Sequence, residues 1–568
     1  MKTQYIRNTA NKLRQLETLR DRYGGQAARE KKAILESLRR SRLTRPSDLI
    51  KYHDLLCFYR AYPDNAGIMA LVERELKDFR KRMDGVRNGY YLESTGIVGT
   101  TTRYSYSYEM AQLLQQWHSR AMSIDWDQSP SNLADDLLEL IPHLVSWHEH
   151  DALENDDYFD VREWLRMAGG RGRSDLYSLI ARIQSSGLPY LSQRLLYDPL
   201  EISVQWELGN SPASRTLKRV PCRKRFYQTG NLVRRSPDLK VRLKESAAPM
   251  RHLSTREGKR YVQTVNEVLA TRNRELYPIT LAIPEEVYLT RVGRGVEILL
   301  FGSKPEVRLP LESNFGAMLT RNGLPVGYGV GAVLFDRVEI AINIFPAFRG
   351  AESAFIIEEF FRIFYHHFGS REFLVRSMQV GHGEEEALLS GAFWFYYKLG
   401  FRAINPTVRK LAEREREKMK RNPGYRCPVT MLKRLANTDV VLFGDNRTVE
   451  DFDELSLANL GYVVTKIIAR DADGDRMEGE RKAMDFVKRA LRIHDLSRWS
   501  ADERMTFARM APLVASIPDL SRWPTADKRQ MAKIIRAKGS NCERNFVRWS
   551  ITHPRFRTSL EKLARTTP

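Results

Sequence analysis

The residue types best suited to chemistry cluster between Val338 and Phe401. A strand-like run, RVEIAINIF, alternates two sets of side chains, and one set includes Glu339, a carboxylate able to accept a proton. The run leads into AFRGAESAFIIEEFF, a glycine-containing turn followed by a helical pattern, and FWFYYKLGF closes the segment. Because the first amides of a helix are unpaired and carry partial positive charge, such a turn is suited to bind phosphate.

Strands and helices around this segment must hold those groups in place. Short apolar runs precede it and indicate strands, namely YPITLAI, VEILLF, FGAMLTR and PVGYGVGAVLF, with a tight turn predicted at Asn322 and Gly323. Strand, helix, strand and helix then follow along the chain. We therefore predict an α+β or α/β domain with a mixed sheet flanked by helices, and further largely helical regions on its N- and C-terminal sides.

The order of these motifs resembles the acyl-CoA core of the GNAT acyltransferase superfamily. In that family a strand ends at a turn of the form R-G-x-G-x-G/A, and here the matching residues are Arg349, Gly350, Ala351, Glu352, Ser353 and Ala354. A later family signature, Y-x-K-L-G-F, resembles the sequence from Tyr396 to Phe401. The resemblance covers roughly 110 residues, about a fifth of the chain, so it concerns one domain among several.

The resemblance implies a role for each of these groups. The backbone amides of the turn would hold the pyrophosphate of a co-substrate, acetyl-CoA or another acyl-CoA. The end of the preceding strand would pair with the pantetheine arm through Asn343, Ile344 and Phe345. Glu339 would accept the proton of an amine acceptor, directly or through water, and Tyr396 would protonate the leaving thiolate, with Tyr397 in its place if the register is one residue later. A phenol can supply this proton because its ordinary pKa of about 10 keeps it protonated at neutral pH.

Two departures from the family pattern leave an alternative open. Glu352 stands where glycine is usual, and its charge would repel a pyrophosphate unless it is directed away. Leu389 stands where an asparagine is usual, about seven residues before the tyrosine. Glu339 also fits an ordinary edge charge, and Tyr396 fits a core aromatic residue. The hypotheses are therefore an active N-acyltransferase, or a catalytically degenerate GNAT-fold protein that binds a partner or acts as a scaffold.

The length and composition of the chain limit its class. The chain has 568 residues, more than a single hydrophobic core accommodates, and its 42% hydrophobic and 29% charged residues are typical of globular proteins. No apolar run approaches the roughly 18 residues that span a bilayer, and no apolar segment follows the basic N-terminus. The four cysteines form no C-x-x-C pair, which favours a reducing compartment. We expect a cytoplasmic protein with no membrane span.

The charge of the chain predicts the sign of its partners. A formal net charge of +22 attracts polyanions, so an acidic carrier protein or a nucleic acid is a possible partner beside the amine-bearing small molecule or protein acceptor. The arm RVPCRKRFYQ, followed by Arg234 and Arg235, interleaves cations and aromatic rings as nucleic-acid-binding segments do. Charge runs of this kind are also typical of solvated linkers. A nucleic-acid-associated basic protein is the third hypothesis.

Composition divides the chain into five regions. They are a basic helical region (1–88), a mainly helical region (89–208), a basic linker or arm (209–260), the GNAT-like domain (275–405) and a charged helical C-terminal region (406–568). Within the second region, WHEHDALENDDYFD gathers histidines and carboxylates from His148 to Asp160, but its spacing matches neither H-E-x-x-H nor an EF-hand loop. We predict an acidic surface loop there and no metal site.

Overall fold

The computed structural model describes residues 2–86, 89–155, 160–233, 235–236 and 238–565. The chain forms two compact units: unit 1 comprises Met1–Leu232, Arg260–Thr280 and Thr320–Pro325, and unit 2 comprises Val233–Lys259, Leu281–Leu319 and Val326–Pro568. Helix accounts for 55% and strand for 14%, with a large mixed sheet and helical flanks, which confirms the predicted mixed α/β class. Within the described ranges, no helix is both long and apolar enough to cross a membrane.

Unit 1 is mainly helical. Its elements up to residue 207 are α1 (Lys2–Thr18), α2 (Gly25–Arg40), α3 (Pro46–Ala61), α4 (Ala66–Lys77), α5 (Arg80–Met83), β1 (Thr101–Ser105), α6 (Tyr108–His118), β2 (Met122–Ile124), α7 (Leu133–Leu140), α8 (Trp147–Asn155), α9 (Val161–Ala168), α10 (Asp175–Ser185), α11 (Tyr190–Tyr197) and β3 (Ser203–Glu207). The three strands form an antiparallel sheet in the order β1-β3-β2. Leu13, Leu16 and Leu19 are buried, because this spacing places them on one side of α1 and the segment that follows it.

The rest of the chain supplies the second sheet and the C-terminal helices. These elements are α12 (Leu239–Lys244), β4 (Met250–His252), α13 (Thr255–Ala270), α14 (Tyr277–Thr280), β5 (Ala282–Gly293), β6 (Val296–Ser303), β7 (Ser313–Arg321), β8 (Leu324–Leu334), β9 (Arg337–Ile344), α15 (Ser353–Ile363), β10 (Glu372–Val375), α16 (Ser377–Val380), α17 (Glu385–Leu389), α18 (Ala392–Lys398), β11 (Arg402–Ala403), α19 (Pro406–Arg421), α20 (Val429–Leu435), β12 (Val440–Phe443), α21 (Leu457–Ala472), α22 (Arg476–Leu491), α23 (Ala501–Ala515), α24 (Thr525–Lys538), α25 (Arg544–Ile551) and α26 (Pro554–Arg565). Of these, α14 and most of α13 belong to unit 1.

The large sheet has nine strands in the order β11-β12-β10-β9-β8-β7-β6-β5-β4. Strand β9 pairs antiparallel with β8 and parallel with β10. A parallel pair requires a crossover connection, and α15 supplies it. Every residue of β6 is buried, which explains why VEILLF is apolar on both faces apart from Glu297, whose Oε1 atom pairs with Arg291 at 2.7 Å.

Two hairpin turns of this sheet differ in how visible they are in the sequence. The predicted turn at Asn322 and Gly323 is confirmed: both residues have positive φ, 50° and 75°, as a type I′ turn requires. The next turn, between β8 and β9, places Phe335 at a φ of 54°, a region that bulky residues rarely occupy. Phe335 is buried, and its ring meets that of Phe556 at a centroid distance of 5.8 Å. Tertiary packing offsets the strain at this turn.

Candidate functional site

The site predicted from sequence lies where two parallel strands part. The registered pairs between β9 and β10 end at Glu339 and Leu374, whereas β9 continues for five more residues to Ile344. Helix α15 starts beyond the carboxyl end of β9 and returns the chain to β10. In open α/β sheets, ligands bind outside the carboxyl ends of parallel strands. The predicted turn and the end of β9 occupy this position in unit 2.

The turn between β9 and α15 depends on Gly350. Its φ is 82°, which favours glycine, and an added Cβ atom would meet no heavy atom within 4 Å. The preceding side chain folds the turn back onto the strand, because Arg349 Nε donates to the carbonyl of Ile344 over 3.0 Å. Arg349 Nη1 lies 2.6 Å from Glu386 Oε1, at the exposed start of α17. The turn thus combines open space with a partly exposed cation.

Glu352, the residue that departs from the family pattern, is fully buried. Its Oε1 atom accepts hydrogen bonds from Arg294 Nη2 at 2.5 Å and from the amide of Val233 at 2.9 Å. Its side chain makes no capping hydrogen bond to α15. A buried carboxylate held by a guanidinium is electrostatically compensated, so its repulsion of a nearby anion is weakened.

Glu339 lies on β9 with its side chain 34% exposed. Arg376, the residue after β10, donates from Nε to Glu339 Oε2 over 2.7 Å. Two further carboxylates contact the same guanidinium: Asp439 Oδ2 lies 2.9 Å from Nη1 and Glu454 Oε1 lies 2.8 Å from Nη2. Burial lowers the pKa of Arg376, but these hydrogen-bonded carboxylates outweigh burial and hold the pKa above its ordinary value. The carboxylate of Glu339 is therefore engaged through Oε2 by a guanidinium that also holds two other carboxylates.

Tyr396 lies on α18 with its ring among other aromatic side chains. Its side chain is 4% exposed, and its ring meets those of Phe395 and Phe401 at centroid distances of 5.4 Å. Burial raises the pKa of Tyr396 above the ordinary value of a phenol, so the hydroxyl keeps its proton. Tyr397 is partly exposed and lies beneath Arg402, whose Cζ is 4.4 Å from the ring centroid.

The structure brings some of the predicted residues together and leaves others apart. Arg349 joins the turn to the end of β9, with its Nη2 atom 3.5 Å from Asn343 Oδ1. Ser353 and Ala354 are the first two residues of α15. Ala351, in the turn, and Phe345, directly after β9, are buried. Among the described residues, no hydrogen bond, ion pair or ring contact joins Tyr396 to Glu339. Leu389 is exposed at the end of α17.

Sequence reasoning missed the charged partners of the site. Arg376 directly follows a buried strand, so a prediction of the parallel pair would have placed it at the same edge as Glu339. Arg294 is 58 residues from Glu352, and Asp439 is 63 residues from Arg376, with no local pattern that links either pair. Only the tertiary fold reveals these contacts.

The histidine- and carboxylate-rich stretch of unit 1 begins as helix. His148 and His150 lie on α8, and His150 Nδ1 is 3.1 Å from the carbonyl of Pro142. Asp156 and Asp157 lie outside the described residues. Within the described ranges, no group of three or more histidine, cysteine or acidic side chains is placed to hold a metal ion.

Comparisons with known proteins add no relative. Searches of protein-family models, of curated proteins and of solved structures found no match. A fold class alone does not specify an activity, because unrelated functions share folds. The function of this chain must therefore be argued from the residues and the geometry of the site.

Proposed function

We propose that unit 2 is a GNAT-like N-acyltransferase that moves an acyl group, most simply acetyl, from coenzyme A to an amine acceptor. The observation that carries the proposal is the β9-α15-β10 unit, in which a glycine turn and a helix start follow the strand end where parallel pairing stops. Helix starts and the carboxyl ends of parallel strands both favour phosphate-bearing ligands. One of the two motifs that resemble the family, Arg349 to Ala354, follows this strand end in the sequence and supports the proposal.

The residues at this strand end fit an acyl-CoA. Gly350 leaves room for a phosphate, the first amides of α15 lack intrahelical acceptors, and Arg349 adds positive charge. On its β10 side, β9 has no registered strand partner beyond Glu339 among the described residues. The backbone at Asn343 and Ile344 therefore offers a strand edge on which the amides of a pantetheine arm could pair. Acyl-CoA, when bound, supplies the activated thioester.

The side chains of the chain would manage the protons. Glu339 would accept the proton of the attacking amine after partial release from Arg376, which still has Asp439 and Glu454 as partners. The buried phenol of Tyr396 keeps its proton at neutral pH and would donate it to the thiolate. The three carboxylates around one guanidinium give this region a net negative charge, which favours a cationic amine.

Titration calorimetry with acetyl-CoA tests the proposal. A Gly350→Asp variant places a negative charge in the phosphate-binding turn, whereas Gly474→Asp makes the same change at a glycine with the same φ of 82° and the same open surroundings, between α21 and α22. Backbone strain is therefore matched. We expect the parent and Gly474→Asp to bind acetyl-CoA and Gly350→Asp to lose binding. No binding by the parent, or equal binding by both variants, would contradict the proposal.

A second candidate, a GNAT-fold binding protein without catalysis, has its own support. The carboxylate of Glu339 is engaged by Arg376, and Tyr396 is packed among aromatic rings. Both groups would then serve stability rather than proton transfer. The two candidates separate on turnover: a binding protein would bind acetyl-CoA and release no free thiol with any member of a panel of amines.

A further inference from the structure

Positive charge is concentrated on one short part of unit 2. Residues 406–435, which include α19 and α20, contain ten lysines and arginines and three glutamates, a net charge of +7. This is about a third of the +22 of the whole chain in about a twentieth of its length. A concentration of this size marks a candidate binding surface for a polyanion rather than an evenly charged exterior.

The cations of α19 form a stripe. Lys410, Arg414 and Arg421 are exposed and lie within about 40° of one another around the helix axis, over a rise of about 16 Å. None of the three forms an ion pair with a described residue. Two glutamates of the helix pair with lysines of the same helix: Glu415 with Lys418 and Glu417 with Lys420, each at 2.6 Å. We call Lys410, Arg414 and Arg421 the basic stripe.

A groove of about 570 Å³ adjoins this helix. Its lining includes Arg409 and Glu413 of α19, the partly stacked pair Tyr397 and Arg402, and Lys398. The side chain of Lys398 is exposed and makes no ion pair with a described residue. A groove of this volume accommodates a compact organic group. Its wall combines five cations and aromatic rings with three carboxylates, one of which, Glu450, pairs with Arg409 at 3.0 Å.

We propose that the basic stripe and the adjoining groove bind single-stranded nucleic acid. Single-strand binders use a cationic track for the phosphates together with aromatic and guanidinium groups near the bases, and both are present here. A flexible strand can place a nucleotide in the groove, whereas a rigid duplex presents its bases only within its own grooves. An acidic protein offers carboxylates to the same cations, so competition by a polyacid is the result that separates it from a single strand. This inference does not depend on the proposed acyl transfer.

Fluorescence anisotropy of the full chain with a labelled twenty-nucleotide oligouridylate tests the inference. The variant is the triple charge reversal Lys410→Glu, Arg414→Glu and Arg421→Glu. The matched control is Lys466→Glu, Arg489→Glu and Arg529→Glu, three exposed cations on α21, α22 and α24, with the same total change of charge. Circular dichroism checks that both remain folded, which we expect because no replaced side chain is buried.

We expect the parent and the control to bind and the stripe variant to bind about fiftyfold more weakly at 0.15 M salt. The slope of log K against log salt should fall in magnitude by about 2, since each phosphate contact to a single strand contributes about 0.7. Equal weakening of both variants would mean a general effect of net charge and would overturn the inference. It would also fail if a duplex of the same length, or poly-glutamate matched in charge, competed as well as the single strand.

Discussion

Two charged clusters of unit 2 each pair carboxylates with a central arginine, but in opposite environments. The accessible cluster consists of Glu339, Arg376, Asp439 and Glu454, whose side chains are 23% to 42% exposed. The buried cluster consists of Glu286, Arg308, Lys538 and Glu543, whose side chains are at most 3% exposed. Each cluster joins a strand of the large sheet to segments distant in sequence.

In the buried cluster, each charged side chain contacts another member of the cluster. Arg308 lies 3.3 Å from Glu286 Oε2 and 3.4 Å from Glu543 Oε2, and its Nη1 donates to the carbonyls of Lys538 and Ser540 at 2.6 Å. Lys538 also pairs with Glu543. A Cβ added at Gly302 would lie 2.3 Å from Glu286, so the backbone of β6 packs directly against this carboxylate.

The difference shows where charge can act and where it can only support the fold. Removing one partner of a buried ion pair is strongly destabilising, because the remaining charge then has neither a counter-charge nor water. An accessible pair is solvated and contributes little to stability, so its members can exchange partners with a ligand. Type and spacing of charged residues therefore do not identify a site unless the access of solvent is known.

The largest contrast should appear on removal of each central arginine. Arg308→Ala should reduce the free energy of unfolding by about 3–5 kcal/mol, because two buried carboxylates lose their shared cation. Arg376→Ala should change it by less than about 1 kcal/mol, since its partners can be solvated. Urea unfolding of both variants measures the difference. Equal losses would remove the distinction between the clusters.

The next largest effect concerns turnover rather than stability. Glu339→Gln keeps the shape of the side chain and a hydrogen-bond acceptor for Arg376 but cannot serve as a base, so kcat should fall about a hundredfold or more. The affinity for acetyl-CoA should stay unchanged. Glu454→Gln, at another carboxylate of the same guanidinium, is the matched control and should retain most of the activity. Steady-state thiol release and calorimetry report the two quantities, and equal kcat values would exclude Glu339 as the base.

The parts of the fold that could be predicted from sequence are those whose signal is local. The strand β9, the glycine turn and the start of α15 are contiguous, so alternation and turn chemistry were enough to predict them. The turn at Asn322 and Gly323 was predictable for the same reason, since positive φ has a local signature. The turn at Phe335 was not, because its strain is offset by a ring far along the chain.

The electrostatics of the site were less predictable than its backbone. Glu352 looked like an obstacle to phosphate because a carboxylate stands where glycine is usual, and Arg294 reaches it only through the tertiary fold. The sequence predicted a base or an edge charge at Glu339, but it did not reveal the ion pair of this carboxylate with Arg376. Burial and pairing arise from segments that meet in space, so residue type and spacing alone could not supply them.

The pH dependence of the free energy of unfolding should reveal the buried cluster by a smaller difference. Burial raises the pKa of Glu286 to about 7, above the value of 4.5 for an ordinary glutamate. The folded state then binds more protons than the unfolded state between these values, so the contribution of Glu286 is full below pH 4.5 and is lost as the pH rises through 7. Relative to Glu286→Gln, the parent should lose on the order of 2–3 kcal/mol across this window. Parallel stability curves from urea unfolding at each pH would contradict this.

Tyr396 is buried, like the groups that only support the fold, yet its proposed role is proton transfer, like that of the accessible groups. It therefore tests whether burial excludes a residue from catalysis. Tyr396→Phe keeps the ring contacts with Phe395 and Phe401, so the free energy of unfolding should change by less than about 0.5 kcal/mol. If the hydroxyl protonates the leaving thiolate, kcat should fall while the affinity for acetyl-CoA stays constant, and Tyr397→Phe should leave both unchanged. Unchanged turnover in Tyr396→Phe would assign this phenol to the core alone, because a proton donor cannot be removed without cost to the step it serves. A fall in kcat would instead mean that the thiolate reaches a side chain that is almost fully enclosed. Its charge would then have to offset the burial that raises the pKa of the phenol and opposes release of the proton.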